Sequence, residues 1–275
     1  MSTPSVIFMG SKPGSLVALD EMMERGWNIE RVVVSKENPH PWMPGSDLRS
    51  YALDKGLAVC IQGEVPSEEA DFVISYMYRN RVERHTLDLA KIAAVNFHAG
   101  PLPGFGGWAF YNVAILEDAK EYGCTCHHMD EDFDTGDVLK VNRFPIDSKA
   151  ETALSLEKKA QAEMLRLFTE FCDLVESRRP LPRTPQDPAK MRYLKKEEFM
   201  ALKEIPLNVD EEAFERHARA FWYPPYECAY VRWGNRKVEV IPKIVKQQLA
   251  HSGMGGDLED LRRVRTRLHD RPAQT

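Results

Sequence analysis

Two hydrophobic rhythms alternate along the first hundred positions of this chain. Ser5-Val6-Ile7-Phe8-Met9 is a short apolar run closed by Gly10, whereas Leu16, Leu19, Met22 and Met23 fall on one helical face between Ser15 and Gly26. The pair predicts a strand, a glycine turn and a helix. Residues 29–35 read as a second strand, 47–55 as a helix stopped at Gly56, and 58–61 as a short third strand. Residues 71–77 and 93–97 are largely apolar, the pattern of strands buried on both faces.

Strands alternating with helices predict an α/β fold with a doubly wound, mostly parallel sheet and right-handed crossovers. Ligands of such sheets bind beyond the carboxyl ends of the strands. Met77-Tyr78-Arg79 and Asn96-Phe97-His98 end two of these strands, so both are expected at one crevice.

The pattern changes beyond His98. Residues 99–107 form a glycine and proline loop, which lets backbone approach a ligand closely. Residues 108–119 predict a helix, 123–129 a strand, and 138–144 its antiparallel partner across the loop at 130–137. Ser148-Lys149-Ala150-Glu151 matches a capping box, placing there the start of a long amphipathic helix through Leu154, Leu165, Phe168, Phe171, Cys172 and Val175. Prolines at 180, 182, 185 and 188 mark a linker, and they divide a catalytic domain, 1–180, from a linker and small C-terminal domain with a polar tail, 181–275. That second part predicts one helix at 210–220 and a hairpin around Gly234-Asn235. Between them lies Phe221-Trp222-Tyr223-Pro224-Pro225-Tyr226, an aromatic cluster suited to core packing or to stacking on a ligand.

Composition excludes several classes. With 43% hydrophobic and 29% charged residues the chain has enough apolar material for a packed core, unlike a disordered protein. A net charge of −5 argues against a broad nucleic-acid surface; residues 1–180 carry 19 basic and 28 acidic side chains, and 181–275 carry 18 and 14. Arg262, Arg263, Arg265, Arg267 and Arg271 are read as a solvated helix face. No signal peptide or spanning run is evident, which points to a cytoplasmic protein without a membrane partner. Cysteines at 60, 124, 126, 172 and 228 fit reduced thiols. Strand alternation sends Cys124, Cys126 and His128 to one face and His127 to the other, and no second ligand pair accompanies them, so no metal site is expected.

Asn96 and His98, spaced i, i+2 at a strand end, share one side and a small volume. A carboxamide N–H is a neutral donor to a developing oxyanion, and an imidazole exchanges protons near neutral pH. Asp134, in the turn with Thr135-Gly136, is placed to orient the histidine or to carry a proton. Such a trio suits acyl transfer to an amine by direct attack, and no G-x-S-x-G elbow offers a covalent route. The blander reading is a pair of strand-end residues hydrogen-bonded to their surroundings.

The motifs in combination are more specific. Asn96-x-His98, Leu102-Pro103, Gly107, Ala114-Ile115, Gly123-x-Thr125 and Asp130-x-x-x-Asp134-Thr135-Gly136 follow in order, and the chain resembles the N10-formyltetrahydrofolate-dependent formyltransferases, most of all those that formylate nucleotide-linked amino deoxysugars. The resemblance implies a Rossmann-like formyltransferase domain with a small C-terminal helix and β-hairpin region. It implies N10-formyltetrahydrofolate as donor, no metal, a nucleotide-linked amino sugar as partner rather than a nucleic acid, and a possible homodimer. It gives Asn96 the formyl oxygen, His98 a place beside the attacking amine and Asp134 a part in proton transfer. Met77, Tyr78, Arg79, Asp130 and Asp132 are expected to border the pterin. Ser11 and Lys12, at a turn where free N–H groups start a helix, are expected near substrate phosphate, with Phe105, Trp222 and Tyr223 also on the acceptor side. The chain departs from many relatives in having Ala99-Gly100 where Pro-Ser is common, and Gly106 where a basic residue is common. A methionyl-tRNA formyltransferase, a formyltetrahydrofolate hydrolase and a non-catalytic binder are the competing readings.

Overall fold

Seven strands form one sheet in the computed structural model, which describes residues 3–37, 47–65, 67–107 and 110–250. Trp108 and the arginines at 262–271 lie outside the described residues. In chain order the elements are β1 (Ser5–Gly10), α1 (Gly14–Glu24), β2 (Asn28–Val34), α2 (Leu48–Asp54), β3 (Val59–Ile61), β4 (Ala70–Tyr76), α3 (Arg84–Leu87), β5 (Ala90–His98), β6 (Gly106–Gly107), α4 (Phe110–Leu116), β7 (Glu121–His128), β8 (Val138–Pro145), α5 (Ala153–Glu176), β9 (Tyr193–Leu194), α6 (Lys196–Ala201), α7 (Glu211–Ala220), β10 (Tyr230–Trp233) and β11 (Arg236–Glu239). The sheet runs β3-β2-β1-β4-β5-β7-β8. Its first five strands are parallel, while β7 pairs antiparallel with β5 and β8 with β7.

The order reverses between β1 and β4, so a crevice opens where Gly10 and Tyr76 end adjacent strands. Beside it β5 continues to Asn96 and His98. The larger core lies on the face covered by α1, α2 and α5, where Phe97 meets Phe168 at 5.0 Å and Phe171 at 5.5 Å between ring centroids. Each buried ring contributes roughly 2 kcal/mol by removal from water. The opposite face holds Ile7, Met9, Val33, Val73, Tyr78 and Leu89, a thinner cluster.

Most expected elements appear within one to three residues of their sequence-based limits, and two differ for identifiable reasons. The long helix starts at Ala153, not at Ser148: Thr152 is the cap, its Oγ1 accepting from Ser155 N–H at 3.1 Å while Ser155 Oγ accepts from Thr152 N–H at 2.8 Å. Ser148 instead donates to Asp118, and Glu151 binds Ser155 and Lys159. The two ends of the expected capping box are thus engaged elsewhere, and the Thr152–Ser155 pair that follows it caps the helix instead. Helix α4 stops at Leu116 because Asp118 turns into the left-handed region at φ 53°.

Beyond α5 the chain crosses the sheet's carboxyl side before building α6, α7 and the β10–β11 hairpin with its Gly234-Asn235 turn. Among the described residues no helix is long and apolar enough to cross a membrane.

Two imidazoles give the fold an acid sensitivity. Burial pushes His128 below its ordinary value against the pull of the Pro182 carbonyl, and burial does the same to His217 against the Leu202 carbonyl. Both groups favour the neutral form when folded, so their contribution is complete above the unfolded imidazole value of about 6.5 and is lost as pH falls through it. The melting temperature is therefore expected to be level above about pH 7 and to fall below about pH 6.5. His217→Gln should shallow that fall; a scanning-fluorimetry series in which the variant and the parent fall equally contradicts this.

Candidate active site

Three adjacent strands set one row of polar side chains across the sheet. Ser75 on β4 pairs in register with Asn96 on β5, and Asn96 with His127 on β7. Ser75 Oγ donates to Asn96 Oδ1 at 2.7 Å, and Asn96 Nδ2 lies 3.0 Å from His127 Nε2. His127 Nδ1 is 2.8 Å from the His128 carbonyl, so that nitrogen carries the proton and Nε2 accepts from Asn96. His98 projects from the same side of β5, two residues on.

Asp134 joins both imidazoles. Its Oδ1 lies 3.4 Å from His98 Nδ1 and 3.7 Å from His127 Nε2, and its Oδ2 accepts from Gly107 N–H at 2.9 Å. Burial by itself raises the carboxyl, yet His98 and the Gly107 N–H outweigh it and hold Asp134 well below the usual carboxylate range. The site therefore keeps a buried anion within reach of two histidines. Asp134 adopts φ 59° and Met77 φ 50°, both rare for non-glycine residues, and both border the strand ends.

The acidic loop is held tightly. Asp130 Oδ1 accepts from Thr135 Oγ1 at 2.6 Å and from Asp132 N–H at 3.1 Å, while Gln186 Nε2 donates to the carbonyls of Asp134 and Gly136, each at 2.8 Å. A Cβ at Gly136 would sit 1.9 Å from the His128 carbonyl oxygen, a backbone atom with no freedom to swing aside. Gly136→Ala is expected to cost about 3 kcal/mol and to displace Asp134. Urea unfolding checks the cost, and a variant as stable and as active as the parent contradicts it.

The glycine loop serves its own closure before it serves any ligand. A Cβ at Gly100 would fall 2.6 Å from the Phe105 oxygen and 2.7 Å from His98 Nε2, so only glycine lets the loop fold over that imidazole. His98 Nε2 donates to the Phe105 carbonyl at 2.6 Å, and Phe110 packs edge-on to the His98 ring at 4.7 Å. Leu102 N–H donates to Thr125 Oγ1, which donates to the Gly100 carbonyl.

The linker expected after Pro180 is a strap across this site. Thr184 bridges to Val138, Gly106 N–H donates to the Arg192 carbonyl at 3.1 Å, and β9 pairs with β6. The strap completes a cavity of about 340 Å³ bounded by Leu102, Pro103, Phe133, Asp134, Met191 and Tyr193. Phe133 and Tyr193 are 44% and 49% exposed, so its lips are aromatic and open. His127, Ser75 and the strap are contributions that local sequence pattern missed. A two-residue pairing of Gly106-Gly107 carries no periodicity, and the facing of Asn96 and His127 depends on strand register; the alternation that separates His127 from Cys124 and Cys126 was the only available signal.

The other expected site residues divide. Met77 and the loop at 130–134 flank the strand ends, but Tyr78 is buried with its hydroxyl on Gln62 at 3.1 Å, on the thinner face of the sheet. Arg79 N–H donates to Ser11 Oγ at 3.4 Å, joining two expected binding segments. Asp132 is solvent-exposed, 3.8 Å from Arg81. Lys12 and Tyr223 meet, Nζ to hydroxyl, at 3.0 Å, although 211 positions separate them. Lys12 also pairs with buried Glu157 at 2.8 Å, which neutralises its charge internally. Phe105 contributes its carbonyl to His98 while its ring packs on Tyr122, and the Trp222 carbonyl accepts from Leu154 N–H.

Residues 31–171 match the family model described as formyl transferase. A methionyl-tRNA formyltransferase of Delftia acidovorans is 29% identical over 255 residues, covering 86% of this chain and 76% of that protein. The N-formyltransferase of Helicobacter canadensis, solved with folinic acid and dTDP-3-aminofucose, superposes with a TM-score of 0.72 at 18% identity over 86% of each chain. A 4-N formyltransferase from Francisella tularensis gives a TM-score of 0.73 at 17% identity over 86% of this chain and 96% of its own.

Proposed function

The chain belongs to the formyl transferase family, and from that premise we propose that it moves the formyl group of N10-formyltetrahydrofolate to the amino group of a nucleotide-linked amino deoxysugar. The observation that carries the reading is the Asn96, His98 and Asp134 cluster at the strand ends, beside a cavity with the aromatic rings of Phe133 and Tyr193 at its mouth. The folate supplies an activated formyl carbon, which the acceptor amine attacks directly through a tetrahedral intermediate. Asn96 uses one amide hydrogen on His127 and has a second for the oxygen that gains negative charge. His98 lies next to that position, and the ionised Asp134 carboxylate, 3.4 Å from His98 Nδ1, stabilises the imidazolium that forms as His98 takes the proton shed by the amine. The C–N bond to the folate then breaks and the nitrogen that leaves regains a proton, so no enzyme adduct forms.

Residues flanking the strand ends suit a flat donor. Met77 and the 130–134 loop stand on either side, and Phe133 and Met191 add apolar surface. On the acceptor side, Ser11 lines the turn before α1, and we assign Lys12, Phe105, Trp222 and Tyr223 to the same wall. The Lys12–Glu157 pair must open for Lys12 to meet a phosphate.

The fold likeness to the Francisella and Helicobacter enzymes, with TM-scores of 0.73 and 0.72, supports a sugar acceptor. The Delftia relative favours a second reading, methionyl-tRNA as acceptor. Incubation with N10-formyltetrahydrofolate and a panel of dTDP-, UDP- and GDP-linked amino sugars, with charged initiator tRNA alongside, separates the two by product mass. A formylated sugar nucleotide is the expected product; turnover with the tRNA alone overturns the assignment.

A further inference from the structure

We propose that Ser75 is a positioning residue for the transfer step, acting through Asn96. The inference rests on the role proposed above for Asn96, and on geometry that needs no ligand. Ser75 is 3% exposed, and its hydroxyl lies 2.7 Å from Asn96 Oδ1 across one parallel strand pairing. On the other side of Asn96, the amide nitrogen meets His127 Nε2 at 3.0 Å across one antiparallel pairing. The His128 carbonyl, 2.8 Å from His127 Nδ1, holds the proton on that nitrogen.

These contacts form a chain with one direction. Ser75 O–H donates to Asn96 Oδ1, Asn96 N–H to His127 Nε2, and His127 N–H to the His128 carbonyl. A carboxamide has nearly the same shape when turned end for end, so its shape alone does not decide which end meets the cleft. The two neighbours decide it. A turned amide would set its oxygen against the lone pair of His127 Nε2 and abandon the Ser75 donor. With the amide held, its second hydrogen is committed to the cleft beside His98. Donation to Oδ1 also polarises the amide, strengthening both N–H groups as donors. The hydroxyl thus supports both the aim and the strength of the oxyanion donor without touching a substrate.

The consequence is a loss in rate rather than in substrate affinity. Ser75→Ala is expected to lower kcat about 10-fold with KM nearly unchanged, the size of one neutral hydrogen bond lost in the transition state. Ser75→Thr, which restores the hydroxyl, should recover most of the rate. In an Asn96→Ala background, Ser75→Ala should change kcat by less than about 2-fold, because the group it acts through is gone. A full 10-fold further loss there, or an unchanged kcat in Ser75→Ala alone, overturns the proposal.

A second readout needs no acceptor and so separates this inference from the choice of sugar. In the ligand-free protein, nitrogen-15 NMR should show scalar coupling between Asn96 Nδ2 and His127 Nε2. The coupling is expected to weaken or vanish in Ser75→Ala and to return in Ser75→Thr. Full retention of the coupling in Ser75→Ala shows that His127 alone fixes the amide, and the proposal fails.

Discussion

Asn96→Ala is expected to cut kcat by about 10²- to 10³-fold while leaving the affinity for the folate donor almost unchanged. The amide is one preorganised donor in a buried row, and removal of such a donor costs roughly 3–4 kcal/mol of transition-state stabilisation. Little of that loss should appear in ground-state binding, because the formyl oxygen gains its charge only as the amine attacks. The truncation also leaves Ser75 Oγ and His127 Nε2 without their partner, at a cost of about 1–3 kcal/mol in folding. Thermal melts therefore accompany the kinetics, and assays run well below the melting temperature isolate the catalytic effect. Near-normal turnover removes Asn96 from the mechanism.

Asp134→Asn should be comparably severe, lowering kcat by about 10²- to 10⁴-fold. The amide is nearly isosteric, and its oxygen can still accept from Gly107 N–H, so the loop should keep its place. Its amino group then faces His98 Nδ1 where the carboxylate oxygen stood at 3.4 Å. A charged hydrogen-bond acceptor has become a neutral donor. Because the carboxyl is held well below the usual range, Asp134 is ionised throughout the neutral region and contributes no acid limb to the wild-type profile above about pH 4. The same depression adds folded-state stability that is complete above the unfolded carboxylate value and is lost as pH falls below it. A variant retaining more than a tenth of wild-type kcat would show that His98 works without the carboxylate beside it.

How much of this was legible in the sequence depends on how far apart the cooperating residues lie. Asn96 and His98 are two residues apart on one strand, so alternation alone puts them on one side, and the strand's place in an α/β order puts them at the crevice. Asp134 was legible only as part of a motif. His127 and Ser75 were not, because each reaches Asn96 through strand register, a property of pairing that no local pattern encodes. The strap shows the same limit. Its prolines read as a linker, but Thr184 bridges to Val138 and Tyr193-Leu194 pairs with Gly106-Gly107, partners that lie far away in sequence. Lys12 is an instructive case: a free cation at a turn reads as a phosphate partner, yet Glu157, far along the chain on α5, already neutralises it. Ser148 alone read as the helix start, but Asp118 captures its hydroxyl across 30 positions, and Thr152 caps the helix instead.

Direct passage of the formyl group from folate to an amine, in the cleft shared by Asn96, His98 and Asp134, leaves a signature distinct from a covalent route. A single-turnover experiment with carbon-13-labelled N10-formyltetrahydrofolate and an amino sugar nucleotide, quenched over time and read by mass, distinguishes the two. The expected result is labelled formamide appearing in step with tetrahydrofolate, no label on the protein, and both products slowed together in Asn96→Ala. Label retained on the protein, or equal rates in the wild type and Asn96→Ala, contradicts it.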